Sequence, residues 1–488
     1  MSQAPSRTGV AAAVTVSAAA QLGSRCIHFV LNVIAGLALI RYFGPTGYGD
    51  YVFVLTYATL FGLLSDFGLS KVAVRDMSRD GVRAGSILGT AIATRIVLAL
   101  AAGVLAQIAL GILGVRAELR PVIAVASVLF LVDAVLGLMA VFQVRLAMQY
   151  EALVTIAIQA LDTAIILALI QLNAGLFLIV ASPVISGILG VAIAFALVRR
   201  RFPIVLAVDP TRLRQLLVDA APIGLTTIIV VLYVKTDAVL LGLLATPADV
   251  GLFGAAYKPI EYVLLALMLP INVLFPLLSR WHGQDARQFR MLYWRGADAL
   301  LVLTLPLTVL VLVAAEPIVL ALYASDFTAA AMPLRILALA LPLMVLSAWQ
   351  GFALLAGGHQ RITVAYDVAA LVLNVALNLT LIPNFGYIGA AITAVLTSLF
   401  VAACSWTAAA RWLDVRGEAP LRVVGVVIAN AVFAVTLVLG ATVLPLWAVV
   451  PLAFIAYPVW LLLSRAVTRA EIALLLPHRS VAALTEPS

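Results

Sequence analysis

The chain has 488 residues, of which 64% are hydrophobic and only 11% are charged. Soluble domains have roughly 45–50% apolar and about 25% charged residues, so a water-soluble fold is excluded. The net charge of +8 is spread over short connections between apolar runs, which argues against a nucleic-acid-binding surface. The apolar runs are 20 to 30 residues long. Because membrane β-barrels use strands of about 10 residues, the pattern predicts an all-α polytopic membrane protein.

One membrane span needs about 20 apolar residues, and the hydropathy of the chain predicts about fourteen spans. In chain order they cover 12–40, 51–72, 85–114, 121–145, 152–172, 176–198, 216–244, 256–279, 293–315, 333–356, 362–382, 388–410, 422–442 and 446–464. The breaks within 293–356 and within the last hairpin are the weakest.

The distribution of Lys and Arg predicts the orientation of these spans. Twenty-two basic residues fall on the side that holds both termini, and five fall on the opposite side. Because basic loops stay in the cytoplasm, we expect the N- and C-termini to be cytoplasmic.

The sequence contains no signal of an enzyme. No connection is long enough for a catalytic domain, and neither a phosphate-binding loop motif nor a pair of residues at metal-ligand spacing occurs. Cys26 and Cys404 lie in different apolar segments, so they predict neither a disulfide framework nor a metal site. No catalytic residue, metal or cofactor is therefore predicted.

Similar turns follow three of the predicted spans. Residues 44–51 (Gly-Pro-Thr-Gly-Tyr-Gly-Asp-Tyr) and 246–253 (Thr-Pro-Ala-Asp-Val-Gly-Leu-Phe) align at an offset of 202, and residues 383–390 repeat the pattern less closely. Proline and glycine stop one helix and allow a tight turn into the next. An even number of spans separates the first two turns, which predicts two parallel six-helix repeats related by an axis along the membrane normal.

This division predicts three parts of the chain. They are an N-terminal six-helix lobe (1–200), a C-terminal six-helix lobe (201–415), and helices 13 and 14 with a cytoplasmic tail (416–488).

The turn motifs resemble a known family. Residues 41–51 (Arg-Tyr-Phe-Gly-Pro-Thr-Gly-Tyr-Gly-Asp-Tyr), 64–70 (Leu-Ser-Asp-Phe-Gly-Leu-Ser) and 74–76 (Val-Arg-Asp) look like the start of polysaccharide-biosynthesis flippases. Residues 381–391 resemble the turn of that family into its span 12. These flippases belong to the multidrug/oligosaccharidyl-lipid/polysaccharide (MOP) exporter superfamily.

The resemblance implies two lobes around a central cavity, with alternating access. It also implies a polyprenyl-diphosphate-linked oligosaccharide as substrate, which crosses the bacterial cytoplasmic (inner) membrane for O-antigen or exopolysaccharide synthesis. A polysaccharide polymerase and glycosyltransferases are possible partners, and nucleic acid is not.

Four polar residues interrupt the first span at helical spacing. Gln21, Arg25, His28 and Asn32 are separated by steps of four, three and four residues, which places them on one face of a helix. A charge at the centre of the bilayer costs about 2.5–3.5 kcal/mol on insertion scales, so this face is expected to line a hydrated cavity. Arg25 would bind a diphosphate through charge-assisted hydrogen bonds, and the three neutral side chains would bind sugar hydroxyls.

Other polar residues extend this predicted substrate site. Lys235 on span 7 is expected to face Arg25 from the second lobe, and Arg95 on span 3 is a further cation. Asn374 and Asn378 form a second polar face on span 11. The alternative interpretation is that these side chains join helices by hydrogen bonds or ion pairs.

Intramembrane carboxylates are candidates for the coupling ion. Asp133, Asp162, Asp237 and Asp367 could each carry a proton or help to hold Na⁺, and the sequence does not rank them. Asp66, which precedes Gly68, is expected to be a cap or loop contact instead.

Three alternatives to an oligosaccharide flippase remain. A multidrug cation antiporter of the same superfamily would favour an acidic cavity, which Arg25 and Lys235 argue against. A flippase for lipid-linked peptidoglycan precursor would be lined by more arginine. A scaffold without transport activity is disfavoured because the short loops offer little docking surface.

Overall fold

A computed structural model describes residues 7–201, 206–413, 415 and 422–464. All regular structure within these ranges is helical. The α-helices are α1 (Arg7–Asp66), α2 (Leu69–Arg79), α3 (Ala84–Ile112), α4 (Arg120–Leu136), α5 (Ala140–Val144), α6 (Met148–Gln171), α7 (Leu176–Arg201), α8 (Pro210–Leu244), α9 (Pro247–Trp281), α10 (Ala286–Leu322), α11 (Ala331–Ala356), α12 (Gln360–Trp412), α13 (Arg422–Val443) and α14 (Leu446–Leu463). The prediction of an all-helical fold is confirmed.

Eleven helical segments of the described chain are long and apolar enough to cross a membrane, and Ala448–Leu463 is a shorter apolar helix. Two of these segments contain a kink at a glycine with positive φ, Gly44 in α1 and Gly386 in α12. Each kink falls in one of the predicted turns. Glycine is favoured at both positions because a residue with a Cβ atom rarely adopts this backbone conformation. The protein is thus a multi-pass membrane protein, and the number of fourteen spans stays a prediction. The tail at 465–488 lies outside the described residues.

The chain forms two compact units. The first contains the chain up to Gly254 together with Asn378–Tyr387, and the second contains Ala255–Leu377 and the chain from Ile388 onward. The lobe boundaries at 200/201 and 415/416 stay predictions.

Helix α8 packs antiparallel to the second half of α1 in the first unit. A Cβ atom on Gly242 would lie 2.1 Å from the ring of Phe53, and one on Gly224 would lie 2.6 Å from the carbonyl oxygen of Phe67. Because both glycines lack a side chain, the two helices approach more closely than larger residues would allow, as is common in membrane proteins.

The first two of the similar turns contact each other reciprocally. A Cβ atom on Gly49 would lie 1.7 Å from the carbonyl oxygen of Pro247, and one on Gly251 would lie 1.9 Å from that of Pro45. Pro45 and Pro247, like Gly49 and Gly251, are 202 residues apart. Each turn therefore presents its glycine to the proline of the other, which is the pattern of a contact around a two-fold axis.

The third similar turn also lies in the first unit. A Cβ atom on Gly386 would lie 3.0 Å from Oδ1 of Asp249. The other oxygen, Oδ2, accepts hydrogen bonds from the backbone N–H (2.9 Å) and the hydroxyl (2.5 Å) of Thr246. All three turns that the sequence singles out therefore meet in space.

Buried polar contacts tie helices together in the second unit. The indole N–H of Trp349 on α11 donates to the carbonyl of Tyr293 on α10 (3.0 Å), and Gly296 leaves room for the indole ring. The amide of Asn430 on α13 donates to the hydroxyl of Tyr457 on α14 (2.9 Å). These contacts stabilise the packing of α10 with α11 and of α13 with α14.

Candidate functional site

A cavity of about 820 Å³ lies within the first unit. Its charged and amide side chains come from six helices. They are Asp66 (α1), Lys71 (α2), Arg95 (α3), Asp133 (α4), Gln143 (α5) and Glu151 (α6). Apolar side chains supply most of the remaining wall, a combination that is typical of small-molecule sites.

Two glycines shape the cavity wall. A Cβ atom on Gly62 would lie 3.2 Å from the ring of Phe130, and one on Gly137 would lie 2.3 Å from Nη1 of Arg95. Gly137 begins a 3₁₀ turn, Gly137–Met139, between α4 and α5. The guanidinium of Arg95 therefore occupies space that a side chain at position 137 would fill.

Arg95 carries its charge into the interior of the first unit. It is the twelfth residue of α3, so it lies about 16 Å along the helix axis from Ala84. Only 7% of the residue is exposed, and its Nε atom lies 3.2 Å from Oδ1 of Asp66. Asp133 also interacts electrostatically with the guanidinium. The guanidinium thus forms an ion pair with Asp66, while Asp133 lines the same cavity without an ion pair among the described residues.

Asp66 has a second role at the end of α1. Its Oδ1 atom accepts hydrogen bonds from the backbone N–H (3.3 Å) and the hydroxyl (2.5 Å) of Ser70. Gly68, with φ 81°, allows the chain to turn between α1 and α2. The prediction that Asp66 caps a turn is confirmed, and the ion pair with Arg95 adds to it.

The other charged groups lie near helix ends. The amide of Gln143 donates to Oε1 of Glu151 (3.1 Å), while Oε2 of Glu151 is buried without a hydrogen bond from a described residue. Lys71 is exposed. Sequence reasoning missed these three side chains because they lie at or next to the predicted cytoplasmic ends of the spans 51–72, 121–145 and 152–172.

The predicted stripe on the first span lies outside this cavity. Arg25 and His28 are exposed and Asn32 is half-buried. Within the described part of the chain, Arg25 forms no ion pair. The amide of Gln21 donates to the sulfur atom of Met148 on α6 at 2.9 Å.

Lys235 lies on α8, two residues before a buried carboxylate. Lys235 is half-buried, and the neighbouring Asp237 is 7% exposed. Asp237 accepts a hydrogen bond of 2.7 Å from the amide of Asn378. This contact brings together a predicted coupling residue and a predicted substrate residue.

The remaining candidates are not among the residues that line the cavity. Asn374 is buried on α12, and Asp367, on the same helix, is half-buried. Asp162 on α6 accepts a hydrogen bond of 2.8 Å from the hydroxyl of Ser182 on α7. Asp162 therefore joins two helices of the first unit.

A bundle of apolar helices that encloses a charged cavity within its membrane-spanning segments has the architecture of a membrane transporter. The family model described as "Polysaccharide biosynthesis protein" matches residues 10–282, and the model described as "Lipid II flippase MurJ" matches residues 259–462. The first match covers more than half of the chain. The protein belongs to the polysaccharide biosynthesis protein family, within the MOP exporter superfamily.

A curated relative is the "Probable low-salt glycan biosynthesis flippase Agl15" of Haloferax volcanii. The two chains are 26% identical over 166 residues, which are 34% of this chain and 35% of the relative. The aligned part therefore spans about a third of the relative.

Two solved structures have a similar fold. One is "Lipid II flippase MurJ, inward closed conformation", with a TM-score of 0.71, 13% identity, and coverage of 91% of this chain and 98% of that one. The other is an inward-facing "multidrug resistance MATE family transporter of the MOP superfamily", with a TM-score of 0.66, 14% identity, and coverage of 79% and 94%. These two likenesses show the fold, and the match over residues 10–282 confirms the family predicted from the turn motifs.

Proposed function

We propose that the protein is a flippase that moves a polyprenyl-diphosphate-linked oligosaccharide across the bacterial cytoplasmic membrane by alternating access. The observation that carries the proposal is the match to the polysaccharide biosynthesis family over residues 10–282. The glycan flippase among its relatives and the fold shared with a lipid-linked-precursor flippase support it. The protein would act as a secondary transporter and not as an enzyme, beside the glycosyltransferases and the polymerase that make and use its substrate.

Arg25 is the residue best placed to receive a diphosphate. It is exposed on a membrane helix and has no carboxylate partner among the described residues, so its guanidinium charge is uncompensated. Such a charge is costly in lipid unless water or an anionic ligand solvates it. Lys235 is the second candidate cation, and Gln21, His28, Asn32 and Asn374 would bind sugar hydroxyls.

Arg95 and Asn378 have partners that argue for other roles. Arg95 is buried and paired with Asp66, and Asn378 donates to Asp237. Their proposed contribution to substrate binding is therefore indirect, through the positions of α3 and α8.

The test is flipping by the purified full-length protein in lipid vesicles. A polyprenyl diphosphate that carries a fluorescent sugar is placed in both leaflets, and a membrane-impermeant reductant quenches the outer one. We expect Arg25→Ala to slow flipping about tenfold or more, since a charge-assisted hydrogen bond contributes about 1.5–3 kcal/mol. Arg25→Lys should retain part of the rate.

Arg83→Ala is the matched control, because Arg83 is an exposed arginine whose ion-pair partner is the nearby Asp80. Full flipping by Arg25→Ala would remove the role of Arg25. A wild-type protein that flips no lipid-linked sugar would overturn the proposed function.

A second candidate function is transport of lipid-linked peptidoglycan precursor. The match of residues 259–462 to the MurJ family model favours it. If it is correct, the protein should restore growth to cells depleted of their own precursor flippase. If the protein does not restore growth but still flips other lipid-linked sugars in vesicles, the peptidoglycan-precursor function is excluded and the first proposal stands.

A further inference from the structure

One end of the first unit is built from four arginine-bearing segments of the chain. These segments are the end of α2, the turn 81–83, the end of α7 and residues 206–214. Buried apolar residues from this end form one cluster, which includes Met77, Ala84 and Val198. The end of α2, the start of α3 and the end of α7 therefore pack together.

Residues 206–214 lie against the same part of α3. The backbone N–H of Ala207 donates to the carbonyl oxygen of Gly85 (3.4 Å), and the backbone N–H of Asp209 donates to the hydroxyl of Thr90 (2.9 Å). Helix α8 begins at the next residue. All four segments thus surround the first turns of α3.

Most of the arginines at this end have no ion pair with a described residue. Arg75, Arg83 and Arg212 pair with nearby aspartates. The five others are exposed and belong to none of the ion pairs of the described chain: Arg79, Arg199, Arg200, Arg201 and Arg214. Together these five residues form a basic surface whose charge has no carboxylate partner in the described part of the chain.

Aliphatic side chains are exposed within the same four segments. Val82, in the turn between α2 and α3, is 97% exposed, and Val208 and Leu206 are 61% and 43% exposed. Arginines combined with exposed aliphatic side chains are typical of protein surfaces that lie at a membrane interface, because the charges bind lipid headgroups while the apolar groups enter the acyl-chain boundary.

The length of α3 places this surface at the depth of the lipid headgroups. Helix α3 has 29 residues, so it is about 43 Å long. A bilayer with its headgroups is about 40–45 Å thick. A helix of this length that crosses the membrane therefore begins in a headgroup layer, and the arginines beside its first turns lie at the level of the phosphates.

We propose that the basic surface binds the phosphate groups of anionic phospholipids, and that the neighbouring aliphatic side chains contact their acyl chains. A guanidinium donates two parallel hydrogen bonds to phosphate oxygens, and an uncompensated positive surface attracts a lipid with net negative charge more than a zwitterionic one. Bound lipid would hold residues 206–214, which lead from α7 into α8, against α3. The proposal concerns the lipid around the protein and not the transported substrate, so it stands apart from the proposed function.

The experiment measures lipid binding without transport. Dioleoylphosphatidylglycerol, dioleoylphosphatidylcholine or inorganic phosphate is titrated into the full-length protein in detergent, and the midpoint of thermal unfolding is recorded. A ligand that binds the folded state raises the midpoint with its concentration. We expect phosphatidylglycerol to raise it more than phosphatidylcholine does, and high salt to reduce the difference because salt screens exposed charges. Inorganic phosphate should have little effect, since it has no acyl chain.

Three variants locate the binding. The triple variant Arg199→Gln, Arg200→Gln, Arg201→Gln should weaken phosphatidylglycerol binding at least tenfold, because each basic residue near an anionic membrane surface contributes about fivefold. Val208→Asn should weaken binding of both lipids without a change of charge. Arg120→Gln is the control, since Arg120 is exposed, has no ion pair with a described residue, and begins α4 near the other end of α3.

Hydrogen–deuterium exchange supplies a local measurement. Phosphatidylglycerol should slow the exchange of backbone amides in residues 206–214 of the wild type, and it should do so less in the triple variant. The proposal is overturned by equal effects of the two lipids, by an equal effect of inorganic phosphate, by a triple variant that binds phosphatidylglycerol as the wild type does, or by lost binding in Arg120→Gln. Exchange in residues 206–214 that phosphatidylglycerol leaves unchanged would also overturn it.

Discussion

The reciprocal contact of Gly49 and Gly251 should not tolerate a methyl group. In Gly49→Ala the new Cβ atom would meet the carbonyl oxygen of Pro247 at 1.7 Å, and real Cβ atoms essentially never approach closer than 3.0 Å. The two turns would have to separate by about 1.3 Å. Both contacts are with backbone, so no side-chain rotation can relieve them. We expect a loss of about 1–3 kcal/mol, as for other overpacked sites.

The same substitution at Gly251 should have a similar cost, because its Cβ atom would lie 1.9 Å from the carbonyl of Pro45. Once one methyl group has separated the turns, the second has less to displace, so the double variant should lose less than the sum of the two. The measurement is the midpoint of thermal unfolding in detergent. Gly103→Ala is the control, since the nearest atom to its Cβ, in Ser127, is 4.0 Å away. A Gly49→Ala protein as stable as Gly103→Ala would refute the reasoning.

Three further predictions concern the first unit. Gly89→Ala would place a Cβ atom 2.3 Å from the carbonyl oxygen of Ala207. The substitution should displace the segment before α8 and speed limited proteolysis there. An unchanged rate of digestion would contradict this prediction. Asp237→Leu removes the acceptor of the buried Asn378 amide and should lower stability by about 1–3 kcal/mol, measured by thermal unfolding. Asp237→Asn keeps an acceptor oxygen and should lower stability less. Equal losses in the two variants would argue against the hydrogen bond. Asp209 caps α8, and hydrogen bonds from the second residue of that helix lower its pKa. The contribution of the ionised Asp209 to stability should be complete above the ordinary aspartate pKa and vanish as the pH falls through the lowered value. The difference in unfolding midpoint between wild type and Asp209→Ala should therefore be constant at pH 5–8. A difference that shrinks within that range would contradict the assignment.

The turns of the fold could be predicted from the sequence because their chemistry is local. Gly44 and Gly386 occupy positive-φ positions within the predicted turns. Their neighbours also form the motifs that identify the family. The offset of 202 between two turns indicates a repeat, but the sequence did not indicate that the turns touch, since contact between residues so far apart depends on how the intervening helices pack.

The candidate site was only partly predictable. Arg95, Asp133 and Asp66 each stood out as a charge in an apolar helix, but they were assigned to three different roles. The structure brings them into one cavity and leaves Arg25 outside it. Nothing in the spacing of residues within one helix could reveal this, because the grouping involves three separate helices.

By itself the sequence determined that the protein lies in a lipid membrane, that it is helical, where it turns and which family it belongs to. These properties depend on the length of the apolar runs and on glycine and proline in the turns, which act over a few neighbouring residues. Only the tertiary structure decided which charges share a space. A membrane helix is apolar on nearly every side, so its sequence carries little information about which side meets its neighbours; packing at glycines such as Gly137 and Gly242 makes that choice.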